Sequence, residues 1–145
     1  MLKPIHFPIA LVCGALLSVP LHAAATCAPN PHFAKHDMRG MWIASVTNID
    51  WPSKPGLTAA QQKAELIALL DVARANNFNA VMLQVRPTAD TFWASKREPW
   101  SHWLTGTQGE NPGYDPLAFA VKETHARGLK LHAWFNPFRV AMDET

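Results

Sequence analysis

Cysteine is scarce in this sequence: Cys13 and Cys27 are its two cysteines in 145 residues. Cys13 sits inside an apolar N-terminal stretch. A chain processed behind that stretch keeps Cys27 alone, which excludes an internal disulfide framework. No His or Cys pair stands at ligand spacing, so a zinc site is rejected and neither a metal nor a cofactor is expected. An excess of one charge is missing too. Thirteen basic side chains face eleven acidic ones, and without Lys3 the balance is twelve to eleven. That leaves no electrostatic footprint for nucleic acid or an anionic membrane surface. Internal repeats and low-complexity tracts are absent. So is a Gly-x-Gly-x-x-Gly or Walker sequence, which argues against a nucleotide-binding sheet.

The sequence does carry twelve prolines and six tryptophans. All the Trp residues lie beyond residue 40, and several fall in Pro/Gly-rich loops, where some are expected to line a binding surface. The first 25 residues differ from the rest. Lys3 is their only formal charge, Ile9 to Val19 is apolar, and Ala23-Ala24-Ala25 has the small side chains a signal peptidase accepts. The apolar stretch is too short for a stable membrane anchor. Residues 1–25 therefore read as a secretory signal, 26–37 as a linker and 38–145 as the folded part. The expected location is secreted or periplasmic. A lipid anchor through Cys27 is the alternative, although Ala24-Ala25-Thr26 lacks the usual Leu before the cysteine.

From residue 39 onward the pattern is strand, loop, helix. Gly40 to Val46 is a short apolar run with a β-branched bias that ends in turn residues, so it reads as a buried strand. Thr58 and Gln61 form a capping box, and Leu66, Leu69, Leu70 and Ala73 then share one helical face. Asn76-Asn77 is the exit. Asn79 to Arg86 is the second strand, with Val81, Leu83 and Val85 on one side and Met82, Gln84 and Arg86 on the other. Residues 87–114 show no periodicity, and structureless loops of that length are usually functional. Asp115-Pro116 caps a helix whose face is Leu117, Ala120, Val121 and Thr124, with Gly128 as the stop. Leu129 to Phe135 is the third strand.

Three strands with two intervening helices predict an α/β fold with a parallel sheet. The unusual polar and aromatic residues gather at the C-terminal strand ends, where a (β/α)₈ barrel builds its active site. The fold expected is a partial (β/α)₈ TIM-type barrel comprising the first three βα units. A closed barrel needs about eight units and roughly 250 residues, so the chain is expected to be its N-terminal fragment.

A specific resemblance accompanies this pattern. Met38-Arg39-Gly40-Met41-Trp42-Ile43-Ala44, Asn48-Ile49-Asp50-Trp51-Pro52 and Leu83 to Asp90 follow one another in register. Glu98-Pro99-Trp100-Ser101, Leu104-Thr105-Gly106, Gly109 to Pro116, His125 to Gly128 and His132 to Val140 continue the series. The ordered set resembles the glycosyl hydrolase-like 10 family. The resemblance implies a barrel in the periplasm or cell envelope that hydrolyses glycosidic bonds, with cell-wall glycan strands (peptidoglycan) as partner.

Such hydrolysis uses two carboxylates flanking the scissile bond. Asp50 and Asp90 are the catalytic candidates here, and the main pair is expected to come from later strands, which would leave this fragment inactive alone. The alternatives are an Asx-type turn for Asp50 and a helix cap for Asp90. Asp115 reads as a cap, and Glu98 as a solvated side chain with no identified partner. Gln84 and Arg86 leave the second strand together, and Arg86 either orients substrate or pairs with a framework carboxylate. His132, Trp134 and Asn136 alternate on one face of the third strand. Trp51, Trp93, Trp100 and Trp103 have loop positions and offer rings for sugar stacking, against the alternative of loop-anchoring core aromatics. Arg139 follows as a loop residue. The substrate-binding set is therefore Trp42, Trp51, Gln84, Arg86, Trp100, His132, Trp134, Asn136 and Arg139. A non-catalytic glycan-binding or regulatory barrel is the competing reading.

Overall fold

A computed structural model describes residues 37–142. The signal reading of 1–25, Cys27 and nearly all of the 26–37 linker lie outside the described residues. Strand β1 spans Gly40–Ile43, helix α1 Ala59–Ala75 and strand β2 Ala80–Arg86. Then come a short helix α2, His102–Thr105, helix α3, Pro116–Ala126, and strand β3, Lys130–Phe135. The strands form one parallel sheet in the order β1-β2-β3, with Trp42, Met82 and His132 in register across it. This mixed α/β arrangement is compatible with a partial TIM-type barrel.

Each helix starts where local chemistry places it. The Thr58 hydroxyl accepts from the Gln61 amide at 3.3 Å, and Gln61 Oε1 accepts from the Thr58 amide at 3.0 Å, so two otherwise orphaned donors are satisfied. Asp115 Oδ1 accepts from the Ala118 amide at 2.9 Å, with Pro116 in the first turn. At the far end of α3 the chain turns through Gly128 at φ +68°, a conformation without cost for a residue that lacks a Cβ.

α1 buries Gln62, Leu66, Leu70 and Ala73, and α3 buries Pro116, Ala120 and Thr124. Val121, expected on the inner face of α3, is exposed because the buried stripe follows the four-residue spacing from Pro116 through Ala120 to Thr124. These helices pack against Ile43, Val81, Leu83 and Val85, which define the core. Each large aliphatic group taken from water there contributes about 1.5–3 kcal/mol. β1 ends at Ile43, earlier than the apolar run suggests, because a 3-10 turn begins at Val46.

The segment from 87 to 114 is more ordered than its lack of periodicity implied. Thr91 bridges to Trp100, the Phe92 amide donates to Val85 O, and the Leu117 amide donates to Phe92 O. Phe92 itself is fully buried. Within the segment, Ser101 caps α2 by accepting from the Trp103 amide, and Gly106 closes it at φ +91°. Gln62 ties the segment to α1. Its Nε2 donates to Leu57 O and Leu104 O, and its Oε1 accepts from the Tyr114 hydroxyl.

The opposite face of the sheet has no covering helix among the described residues. Trp42 stands on it at 59% exposure.

Candidate functional site

Parallel strands deliver their next residues to one edge of the sheet, and the candidate site lies at that C-terminal edge. Strand pleating puts Trp42, Met82, His132 and Trp134 on the uncovered face. The rings of Trp42 and Trp134 meet there edge to face, with centroids 5.0 Å apart. Two aromatic side chains from the outer strands thus span the central one. This geometry leaves indole surface open on the side away from the helices.

Just beyond the aromatic pair, Arg86 ends β2 in a fixed arrangement. Its Nε donates to both oxygens of Glu98, at 3.0 and 2.9 Å, and Nη2 also reaches Oε1. Nη1 donates to Asn136 O at 2.6 Å. Asn136 returns the contact: its amide donates to Arg86 O and its Nδ2 to Pro87 O, at 3.0 and 3.3 Å. The hydrogen bonds from Arg86 hold the Glu98 carboxyl below the usual carboxylate range and raise the guanidinium pKa in turn. Glu98 is therefore not a solvated side chain without a partner. It lies twelve residues from Arg86 across an aperiodic loop, and only its place in the Glu98-Pro99-Trp100-Ser101 motif marked it in the sequence.

The two weaker carboxylates occupy different settings. Asp50 Oδ2 accepts from the Ala44 amide at 2.7 Å, closing the loop after β1, and the side chain is exposed. Asp90 is fully buried; its Oδ1 accepts from the Thr88 amide at 3.0 Å, while Oδ2 has no partner among the described residues. No helix begins at Asp90, so the capping alternative does not apply to it.

Gln84 points from the same face as Arg86 but is completely buried. Its Oε1 accepts from the amides of Ser45 and Val46, both at 2.9 Å, and so fixes the exit of β1. Among the described residues its Nε2 has no partner. Trp51 offers no face for a ligand: it is fully buried, tilted against Phe92, with Nε1 donating to Gln62 O at 2.8 Å. The loop-anchoring reading replaces the stacking one because the turn after β1 folds the ring under the sheet edge. Trp100 is half-buried, tied by its backbone to Thr91 and Gly109, and borders a recess with Ala94, Asn111 and Tyr114. His132 is exposed beside Trp134, and Arg139 lies on the exposed stretch after β3. The structure thus brings together Trp42 with Trp134 and Arg86 with Asn136, and sets Trp51 and Trp100 apart from them. Asn48, not singled out from sequence, donates through Nδ2 to Pro52 O and Trp103 O and so joins the β1 exit to α2.

Residues 37–145 match the model of a family described as glycosyl hydrolase-like 10. The chain is 49% identical over 142 residues to a protein of Bacillus subtilis (strain 168) named glycosyl hydrolase YngK, a match that covers 97% of this chain. It is 46% identical over 113 residues, 73% of its length, to proteins named glycosyl hydrolase DigH in Escherichia coli (strain K12) and Shigella flexneri. Each match spans 26% of the relative, so the chain corresponds to about a quarter of these proteins. The chain belongs to the glycosyl hydrolase-like 10 family.

Proposed function

We propose that this chain forms the substrate-lining part of an exported glycoside hydrolase that cleaves glycan strands of the bacterial cell wall. The observation that carries this reading is the Trp42–Trp134 pair on the open sheet face, beside the Arg86–Glu98–Asn136 rim. Indole faces stack on the C–H faces of pyranose rings, and a wall of them suits a long uncharged polymer better than a small ion. The sheet is the opening of a (β/α)₈ barrel, and the strand ends hold the glycan above it. Residues 1–25 serve as the export signal, which places the protein in the periplasm or outside the cell.

The reaction itself is acid/base hydrolysis by two carboxylates. Asp50 Oδ2 accepts from the Ala44 amide, and Glu98 is held in its charged form by Arg86. Asp90 retains one unpartnered oxygen but is buried. In this reading the main acid and base come from later strands of the full-length protein, Asp50 and Asp90 remain the candidates within this chain, and this chain supplies binding and orientation. In the full-length protein, purified peptide-free glycan strands should be shortened, with new reducing ends appearing over time. Binding of the strands without any new reducing ends would identify a non-catalytic glycan-binding barrel instead.

A further inference from the structure

The turn that leaves β1 puts two consecutive residues in the left-handed backbone region, Thr47 at φ +52° and Asn48 at φ +54°. Asparagine adopts that conformation readily. A β-branched threonine does not, because its side chain crowds the backbone, and such strain persists only where the surroundings over-determine it. Here they do. Gln84 Oε1 accepts from the Ser45 and Val46 amides at 2.9 Å each, and Ser45 Oγ donates to Gln84 O at 2.8 Å. The Ile49 amide closes the turn by donating to Val46 O at 3.2 Å, and Asn48 Nδ2 donates to Pro52 O and Trp103 O. Every one of these bonds is made by a neighbour of Thr47, and none uses its side chain. The Thr47 hydroxyl donates only to the preceding carbonyl, Val46 O, at 2.7 Å, and the residue is exposed. The turn thus carries a strained residue whose side chain packs nothing, where a glycine would fit without strain.

Its location gives the strain a use. Gln84, which holds the turn, is paired in register with Trp134, so the turn stands at the C-terminal sheet edge beside the aromatic pair. Resting on the glycan reading above, we infer that Thr47 is a substrate contact at the exit of β1. The hydroxyl proton is committed to Val46 O, and the oxygen keeps lone pairs to accept from a sugar hydroxyl. Because both the backbone and the hydroxyl are already fixed, the contact forms with little further loss of side-chain freedom. Gln84 acts through the turn and not on the substrate itself.

The test is calorimetric titration of the full-length protein with purified peptide-free glycan strands, beside a thermal melt of each variant. Thr47→Gly removes the hydroxyl and relieves the backbone. Its melting temperature should be no lower than that of wild type, while its affinity for the strands falls by about three- to tenfold. Thr47→Ser keeps the hydroxyl without the crowding methyl, and its affinity should return toward the wild-type value. A glycine variant that binds as tightly as wild type overturns the contact, and so does a serine variant as weak as the glycine one. A marked loss of stability in Thr47→Gly overturns it too, by giving the side chain a structural role. A wild-type protein that binds no strands overturns the glycan reading itself, and the contact with it.

Discussion

Arg86 shows how one side chain can serve the fold and the site together. Its guanidinium reaches Glu98 through two nitrogens and Asn136 O through the third, joining the ends of β2 and β3 to the long loop. Both members of the ion pair are largely shielded, at 16% and 27% side-chain exposure, which places the pair between a surface contact and a buried one. Arg86→Ala should therefore cost about 1–3 kcal/mol in denaturant unfolding, with the Glu98 charge left unpaired. Arg86→Lys should recover little of this, because an ammonium cannot make the two-pronged contact. The pair also sets a pH dependence. Glu98 titrates lower in the folded protein than in the unfolded chain, so its stabilisation is complete above the unfolded value of about 4.3 and fades as pH falls through the lower folded value. Glu98→Gln should remove that part of the acid limb of a stability–pH profile. A profile identical to wild type between neutrality and acid would show that the pair contributes nothing.

At the scale of elements, the helices were legible because their signals are local. Thr58 and Gln61 are three residues apart, as are Asp115 and Ala118, and each pair makes the hydrogen bond its spacing suggests. Asp115→Ala should lower stability by about 1 kcal/mol, measurable as a shift of the urea midpoint at unchanged slope. No shift would mean that Pro116 alone sets the start of α3. The four-residue helix α2 was missed, although its Ser101 cap and Gly106 stop are both present in the sequence. It is too short to show a hydrophobic period. Burial was hardest to read where long-range packing decides it. Trp42 and Trp51 are both aromatic residues near the end of β1, yet one is exposed on the open face and the other is sealed beneath Phe92. Gln84 sits on the polar side of its strand and is buried nonetheless, because its amide oxygen substitutes for missing partners of the Ser45 and Val46 amides. None of these outcomes follows from neighbours within one helical turn or one strand.

For the molecule as a whole, one face of the three-stranded sheet is closed by α1 and α3, while the other presents Trp42 and Trp134. In the proposed barrel that open side faces the interior and mouth. At its mouth the proposed glycan wall includes the β1 exit and the Arg86 rim. Its central element is the aromatic pair. Glycan binding by the full-length protein carrying Trp42→Ala and Trp134→Ala therefore tests the account most directly, with peptide-free glycan strands as ligand and thermal unfolding as control. The account predicts at least a tenfold loss of affinity in the folded double variant, since each stacking ring contributes on the order of 1 kcal/mol. An affinity unchanged from wild type in a folded double variant would contradict it.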